Sequence, residues 1–208
     1  MELHLEGCGS SKSNVFYDRI YALDKTGLRK NKPEYLVLHS TYKYPAFEDL
    51  FACHKGLGWN GVGYHLYVDK TANVSQTRPF NVEGAHTLGL NTKSIGLCYY
   101  SDNGKVSPNN VVRMQQSIEF LKNLYPNIKM KSHTQAQVDH INDLAQKQGI
   151  GKVFDTSNLI VGKKRFRELS REVLEFAKSL NPLNRRLRTL CERLTNCPGE
   201  SFSLFLDE

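Results

Sequence analysis

Two histidines that end strand-like runs are the residues of this chain best suited to chemistry. His39 follows the apolar run 36–38, and His133 ends a second run that begins at Ile128. A short apolar run of this kind is typical of a buried strand, and a histidine at its end directs a ring nitrogen into the cleft beyond. Two strands that each deliver one imidazole would supply two ligands for a zinc ion.

A catalytic zinc site needs a third protein ligand and an open position for water. Three candidates follow His133 in the sequence: Asp139, His140 and Asp155. Asp139 and His140 come soon after His133, with a predicted turn between, and Asp155 lies in a predicted loop before the terminal helices. Spacing alone leaves all three open.

The elements that must position these residues alternate between strands and helices. Strands are predicted over 36–39, 62–68, 74–78, 94–100 and 128–133, and helices over 46–55, 108–125, 137–148, 166–180 and 183–194. The short turn 69–73 makes the second and third strands a hairpin. We therefore predict an α/β fold, a central mixed β-sheet flanked by helices, with extra C-terminal helices.

Composition and charge vary along the chain. With 208 residues, 39% hydrophobic and 24% charged, the composition is that of a globular protein. We predict an N-terminal leader over 1–33 with a short helix near 14–23, a catalytic domain over 34–162, and a basic helical extension over 163–208. The net charge is +7, and residues 163–193 hold ten Lys/Arg against four Asp/Glu.

Cysteine usage and hydropathy exclude several classes of protein. Five cysteines without a C-x-x-C pair argue against a disulfide framework or a four-cysteine zinc knot. We expect Cys98, in an apolar run, to be buried. No stretch approaches the roughly 18 apolar residues of a membrane span, and the acidic segment 1–6 lacks the apolar core of a secretory signal. We therefore expect synthesis in the cytoplasm.

Six short motifs occur in an order that resembles a known family. They are 36–41 (LVLHST), 53–59 (CHKGLGW), 62–69 (VGYHLYVD), 84–87 (GAHT), 91–98 (NTKSIGLC) and 132–133 (SH). In this order they resemble the zinc-dependent N-acetylmuramoyl-L-alanine amidases, whose fold is shared with peptidoglycan-recognition proteins and small phage lysozyme-amidases. The resemblance runs from about residue 36 to 133, and more weakly to about 166.

The resemblance implies a set of zinc ligands. The family's two metal histidines fall on His39 and His133. Its third ligand is a Cys or Asp in a later loop, which favours Asp155 over His140 and Asp139. Here Thr156 stands where the family often has proline.

Four other residues are candidates for the site, three of them through the resemblance. On pattern alone Tyr64 is a core aromatic, but the family's cleft tyrosine falls on it and contacts the attacking water or the oxyanion. Some members of the family place a lysine that stabilises the oxyanion two residues before the third ligand, and Lys152, which stands three residues before Asp155, is the candidate for that role. His86 would line the substrate groove. Trp59 is either a platform for a sugar ring or a buried turn residue.

These expectations define one leading function and one alternative. The leading function is zinc-dependent hydrolysis of the amide between N-acetylmuramic acid and L-alanine, in peptidoglycan or soluble muropeptides. The alternative is a non-catalytic peptidoglycan-binding protein of the same fold. A phage-type lysin released to the wall and a cytoplasmic recycling enzyme remain equally open.

The basic extension over 163–208 either contacts an anionic wall polymer or is a solvated helical cap. Nucleic acid is disfavoured because interleaved aromatic residues and a recognition motif are missing.

Overall fold

A computed structural model describes the backbone of residues 2–3, 16–102, 105–151, 154 and 162–196, and the side chains of 16–102, 105–151, 154 and 168–194. The chain divides into two compact units, 1–131 and 132–208. This division falls after Lys131, inside the segment 34–162 that the sequence predicts to be one catalytic domain.

The first unit is organised around a mixed sheet. Its strands in the described residues are β1 (Glu2–Leu3), β2 (Phe16–Asp18), β3 (Tyr35–Thr41), β4 (Leu66–Val68), β5 (Val74–Gln76), β6 (Ser94–Tyr100) and β7 (Lys129–Ser132). Their order across the sheet is β1-β2-β5-β4-β6-β3-β7. β3 and β4 both run parallel to the central β6, whereas β4 and β5 form the predicted antiparallel hairpin. The predicted mixed α/β sheet is thus confirmed.

Two helices of this unit begin at the predicted residue or one residue later. α1 spans Phe47–Gly56, and the Asp49 carboxylate accepts a hydrogen bond from the Ala46 N–H at its start (3.3 Å). α2 spans Pro108–Leu124, and the Ser107 hydroxyl accepts from the Asn110 N–H (3.2 Å). Proline at the first helical position after a serine cap leaves no backbone donor unsatisfied there.

Two sequence predictions for this unit are wrong. The predicted helix near 14–23 is the strand β2 followed by a 3-10 turn, Ile20–Ala22, because buried Phe16 packs edge-on against Phe120 of α2 (ring centroids 5.2 Å). The predicted strand 62–68 is strand only in β4. Upstream of it the backbone pairs irregularly: the Val62 carbonyl accepts from Arg78 Nε (2.5 Å), whereas the His65 N–H still donates to the Gly96 carbonyl of β6 (2.9 Å).

The second unit is helical and has its own core. α3 spans His133–Lys147, α4 spans Gly162–Ser179 and α5 spans Arg185–Asn196. Their buried residues form one cluster: Val138, Ile141, Ala145, Phe154, Leu169, Val173, Ala177, Leu180, Leu187, Leu190, Cys191 and Leu194. The helix predicted over 183–194 begins instead at Arg185, and Leu183 before it is 87% exposed. None of the described helices combines the length and apolarity needed to cross a bilayer.

Candidate active site

His39 lies within β3 and not at its end. The strand continues to Thr41 because its parallel pairing with β6 does, and His39 is opposite buried Cys98 in that register. The imidazole is 3% exposed. The prediction that His39 ends its strand is therefore wrong, while its burial at the centre of a rigid sheet gives the ring a well-defined position.

A second histidine and a threonine contact the His39 ring. His39 Nε2 lies 3.0 Å from His86 Nδ1 and 3.3 Å from Thr87 Oγ1. His86 Nδ1 is in turn 2.9 Å from Thr87 Oγ1. The two imidazole planes are close to perpendicular (88°) with centroids 5.0 Å apart. The three side chains thus form a compact hydrogen-bonded triangle.

The loop that carries His86 and Thr87 is fixed by one amide side chain. Asn91 Oδ1 accepts hydrogen bonds from the backbone N–H of His86 (2.9 Å) and of Thr87 (2.8 Å). On the far side of the ring, His86 Nε2 lies 3.4 Å from Ser94 Oγ at the start of β6. The loop and the sheet therefore position His86 together.

Aromatic side chains border the same cluster. The half-buried Tyr64 ring lies 4.9 Å from the His39 ring and 5.7 Å from that of His54, measured between centroids. His54 in turn stacks on Trp59 (4.5 Å), whose side chain is 36% exposed. Trp59 is therefore not the buried turn residue of the second alternative.

Two further histidines, His54 and His65, make structural hydrogen bonds to the backbone. His54 Nδ1 accepts from the Gly63 N–H (3.2 Å), and burial, with a smaller effect of the Arg78 charge, lowers the pKa of His54 to about 4. His65 is fully buried: its Nε2–H donates to the Val82 carbonyl (2.8 Å) and its Nδ1 accepts from the Gly96 N–H (3.1 Å). Burial lowers the pKa of His65 to about 4 as well.

His133 belongs to the second unit, where it is the first residue of α3 and not the end of a strand. The helix starts four residues earlier than the predicted position 137, because the Ser132 hydroxyl accepts from the Gln135 N–H (3.0 Å) and caps it. Burial lowers the pKa of His133 to about 4. The ring is therefore neutral near pH 7, which is the form that binds metal ions.

Two of the remaining candidate residues lie on α3, and two lie outside the described residues. His140 is half-buried on α3, and burial followed by the charge of Arg186 lowers its pKa. Asp139 lies beside it on the same helix. Lys152 and Asp155 lie outside the described residues. Within the part of the chain whose side chains are described, no group of three or more His, Cys, Asp or Glu residues is arranged to hold a metal ion.

Sequence reasoning missed the residues that position His39 and His86. Thr87, Asn91 and Ser94 follow His86 closely and lie within the motifs GAHT and NTKSIGLC, but small polar residues of this kind are common in loops. The glycines within these motifs, Gly84 and Gly96, were the available signal. A glycine next to a functional histidine often marks a close approach of backbone and side chain.

Comparison with known proteins places this cluster in a family. The profile of the N-acetylmuramoyl-L-alanine amidases matches residues 29–162, more than half of the chain. The endolysin of Escherichia phage T7 is 35% identical over 71 residues, which cover 33% of this chain and 47% of the phage protein. The match thus spans only about half the length of that relative.

Solved structures agree with this assignment. The amidase LysC from Clostridium intestinale URNW superimposes with a TM-score of 0.53 at 26% identity, over 58% of this chain and 83% of that one. Bumblebee PGRP-SA gives a TM-score of 0.52 at 22% identity, over 58% and 83% of the two chains, which shows a shared fold. The chain belongs to the N-acetylmuramoyl-L-alanine amidase family.

Proposed function

We propose that this protein hydrolyses the amide between N-acetylmuramic acid and L-alanine of peptidoglycan, with a zinc ion bound at His39. The observation that carries the proposal is the cluster of His39, Tyr64 and His86, which lies inside the segment that matches the family. A buried imidazole next to a phenol suits a reaction in which a metal ligand and a hydrogen-bond donor act on one carbonyl.

The family resemblance supplies the ligand set His39, His133 and Asp155. The histidines fit zinc in their chemistry, since His39 is buried in a rigid strand and burial keeps His133 neutral. His140 and Asp139 are the alternatives to Asp155, but the cationic Arg186 near His140 disfavours a second cation there. When bound, zinc polarises a substrate carbonyl and lowers the pKa of water to about 7.

The residues of the chain then have distinct tasks. In hydrolysis the oxygen of water bonds to the acyl carbon, the carbon–nitrogen bond breaks, and the L-alanine nitrogen leaves as an amine after gaining a proton. The Tyr64 phenol would donate a hydrogen bond to the carbonyl oxygen as it gains negative charge, and Lys152 would add a positive charge nearby. The partly exposed Trp59 offers an aromatic face to a sugar ring.

The direct test is cleavage of a defined muropeptide followed by mass analysis. We expect release of the free stem peptide, loss of that release with a chelator, and recovery when zinc is restored. His39→Ala should release no stem peptide although it still folds. Undiminished cleavage by this variant would contradict the proposal, and binding of muropeptide without cleavage by the wild type would favour the peptidoglycan-binding alternative.

The physical form of the substrate separates a lysin from a recycling enzyme. Comparable rates on intact sacculi and soluble muropeptides would support a lysin, whereas activity on soluble muropeptides alone would support recycling.

Docking on an anionic wall polymer would need positive charge, and this charge is not confined to the C-terminal extension. Residues 1–131 hold 16 Lys/Arg against 11 Asp/Glu, and residues 132–208 hold 12 against 10. Salt that slows cleavage of sacculi but not of soluble muropeptide would support docking.

A further inference from the structure

We infer that His86 and Thr87 are positioning residues that hold the His39 imidazole in one orientation and one tautomer, so that His39 binds the metal through Nδ1. This inference rests on the proposed function in one respect, since it requires that His39 is a zinc ligand. It changes the expected role of His86 from a lining residue of the groove to a support of the metal site.

The hydrogen bonds around His86 determine which nitrogen carries the proton. The Ser94 hydroxyl donates its only hydrogen to the Leu90 carbonyl (2.7 Å). Its oxygen therefore accepts from His86 Nε2, which lies 3.4 Å away. A neutral imidazole with hydrogen on Nε2 has a lone pair on Nδ1, and this is the atom that faces His39.

The tautomer of His39 follows from that of His86. His39 Nε2 and His86 Nδ1 are 3.0 Å apart and share one hydrogen, so His39 donates it from Nε2. Thr87 Oγ1 is within reach of both nitrogens and steadies the pair. An imidazole protonated on Nε2 binds a metal through Nδ1, and histidine ligands of zinc commonly donate their other ring N–H in this way.

Two glycines make the position of His86 possible. A Cβ at Gly84 would lie 2.4 Å from His86 Cδ2, and one at Gly96 would lie 2.7 Å from the same atom. Neither glycine has a positive φ, so both serve to give space and not backbone freedom. The ring is thus enclosed between two backbone segments, and a methyl group on either would displace it.

Zinc affinity of the full-length chain tests the inference, measured by calorimetry or by competition with a chelating dye. His86→Ala removes the acceptor and should weaken zinc binding about 10- to 100-fold. His86→Asn keeps an acceptor oxygen near the position of Nδ1 and should bind zinc within about threefold of the wild type, since only the hydrogen bond is needed. Thr87→Val should have a smaller effect than His86→Ala.

Gly96→Ala is a steric version of the same test. It keeps both histidines in the sequence but displaces the His86 ring, so it should weaken zinc binding as His86→Ala does. The matched control is Gly56→Ala at the end of α1, where a Cβ would meet no atom within 4 Å; its zinc affinity should equal that of the wild type. Circular dichroism and thermal melting identify any variant that fails to fold.

The outcomes separate this inference from the proposed activity. Equal zinc affinity in the wild type, His86→Ala and Gly96→Ala would overturn the inference alone. Loss of affinity in His86→Asn as large as in His86→Ala would also overturn it, because His86 would then be a ligand itself. The expected ranking without cleavage of muropeptide would support the inference and contradict the activity, and a wild type that binds no zinc would overturn both.

Discussion

His65 should make the first unit unstable in mild acid. Its two hydrogen bonds require the neutral ring with hydrogen on Nε2, because Nδ1 accepts from the Gly96 N–H. Protonation would place a second N–H against that donor inside the core and would bury an unpaired charge. The unfolded chain has no such constraint and takes up a proton at the ordinary histidine pKa.

The size of the effect follows from the pKa of His65, which falls from 6.5 in the unfolded chain to about 4 in the folded protein. Between these values the unfolded state binds more protons, so the free energy of unfolding falls as pH decreases, by about 1.4 kcal/mol per pH unit. From about pH 7.5 to about pH 5 the loss due to His65 is about 2 kcal/mol. Below the folded pKa this dependence ends.

Urea unfolding monitored by fluorescence measures this loss. The chain has a single tryptophan, Trp59, which lies in the first unit and stacks on His54. His65→Asn removes the titrating ring and leaves the Val82 carbonyl without its donor, so the variant should be less stable at pH 7.5 but should lose less stability on acidification. A variant whose stability depends on pH as steeply as the wild type would refute the reasoning.

Three other predictions concern the metal, the chemistry and the helical core. Tyr64→Phe should lower kcat on muropeptide about 100- to 1000-fold, as expected for loss of an oxyanion donor, with zinc affinity unchanged in a parallel titration. Asp155→Ala should lose zinc and His140→Ala should keep it; the opposite result would make His140 the third ligand. Leu169→Ala should cost about 2–5 kcal/mol, since a large cavity would form at a fully buried position of the second unit. An unchanged melting curve of that variant would show that the helices pack without this side chain.

Elements with a strong local signal were predictable from the sequence. Ser107 and Pro108 mark the start of α2 because a hydroxyl cap and a proline both favour a first helical turn. β6 begins and ends at the predicted residues 94 and 100, as expected for a short apolar run between turn residues. In each case neighbouring residues alone decide the conformation.

The predictions were wrong in segments whose conformation is decided by tertiary interactions. A run of residues cannot reveal that β3 continues beyond His39, since the extension depends on pairing with β6 some sixty residues later. The segment 62–65 alternates as a strand would, yet the Val62 carbonyl and the Gly63 N–H pair with the Arg78 and His54 side chains and not with a neighbouring strand. Ser132 could have been recognised as a helix cap from its residue type. The strand-like pattern of residues 128–133 led instead to a predicted strand, so the start of α3 at His133 was missed.

The geometry of the histidine cluster depends on two glycines, which have no reactive side chain of their own. His86 can reach His39 only because Gly84 and Gly96 leave the volume of its ring empty. Gly96 also donates its N–H to His65, so the backbone that encloses one histidine fixes the tautomer of another. A substitution at Gly96 should therefore act on the proposed metal binding while leaving every imidazole in the sequence. The histidines alone lead to the zinc hypothesis, but they do not reveal how the geometry of the cluster is maintained.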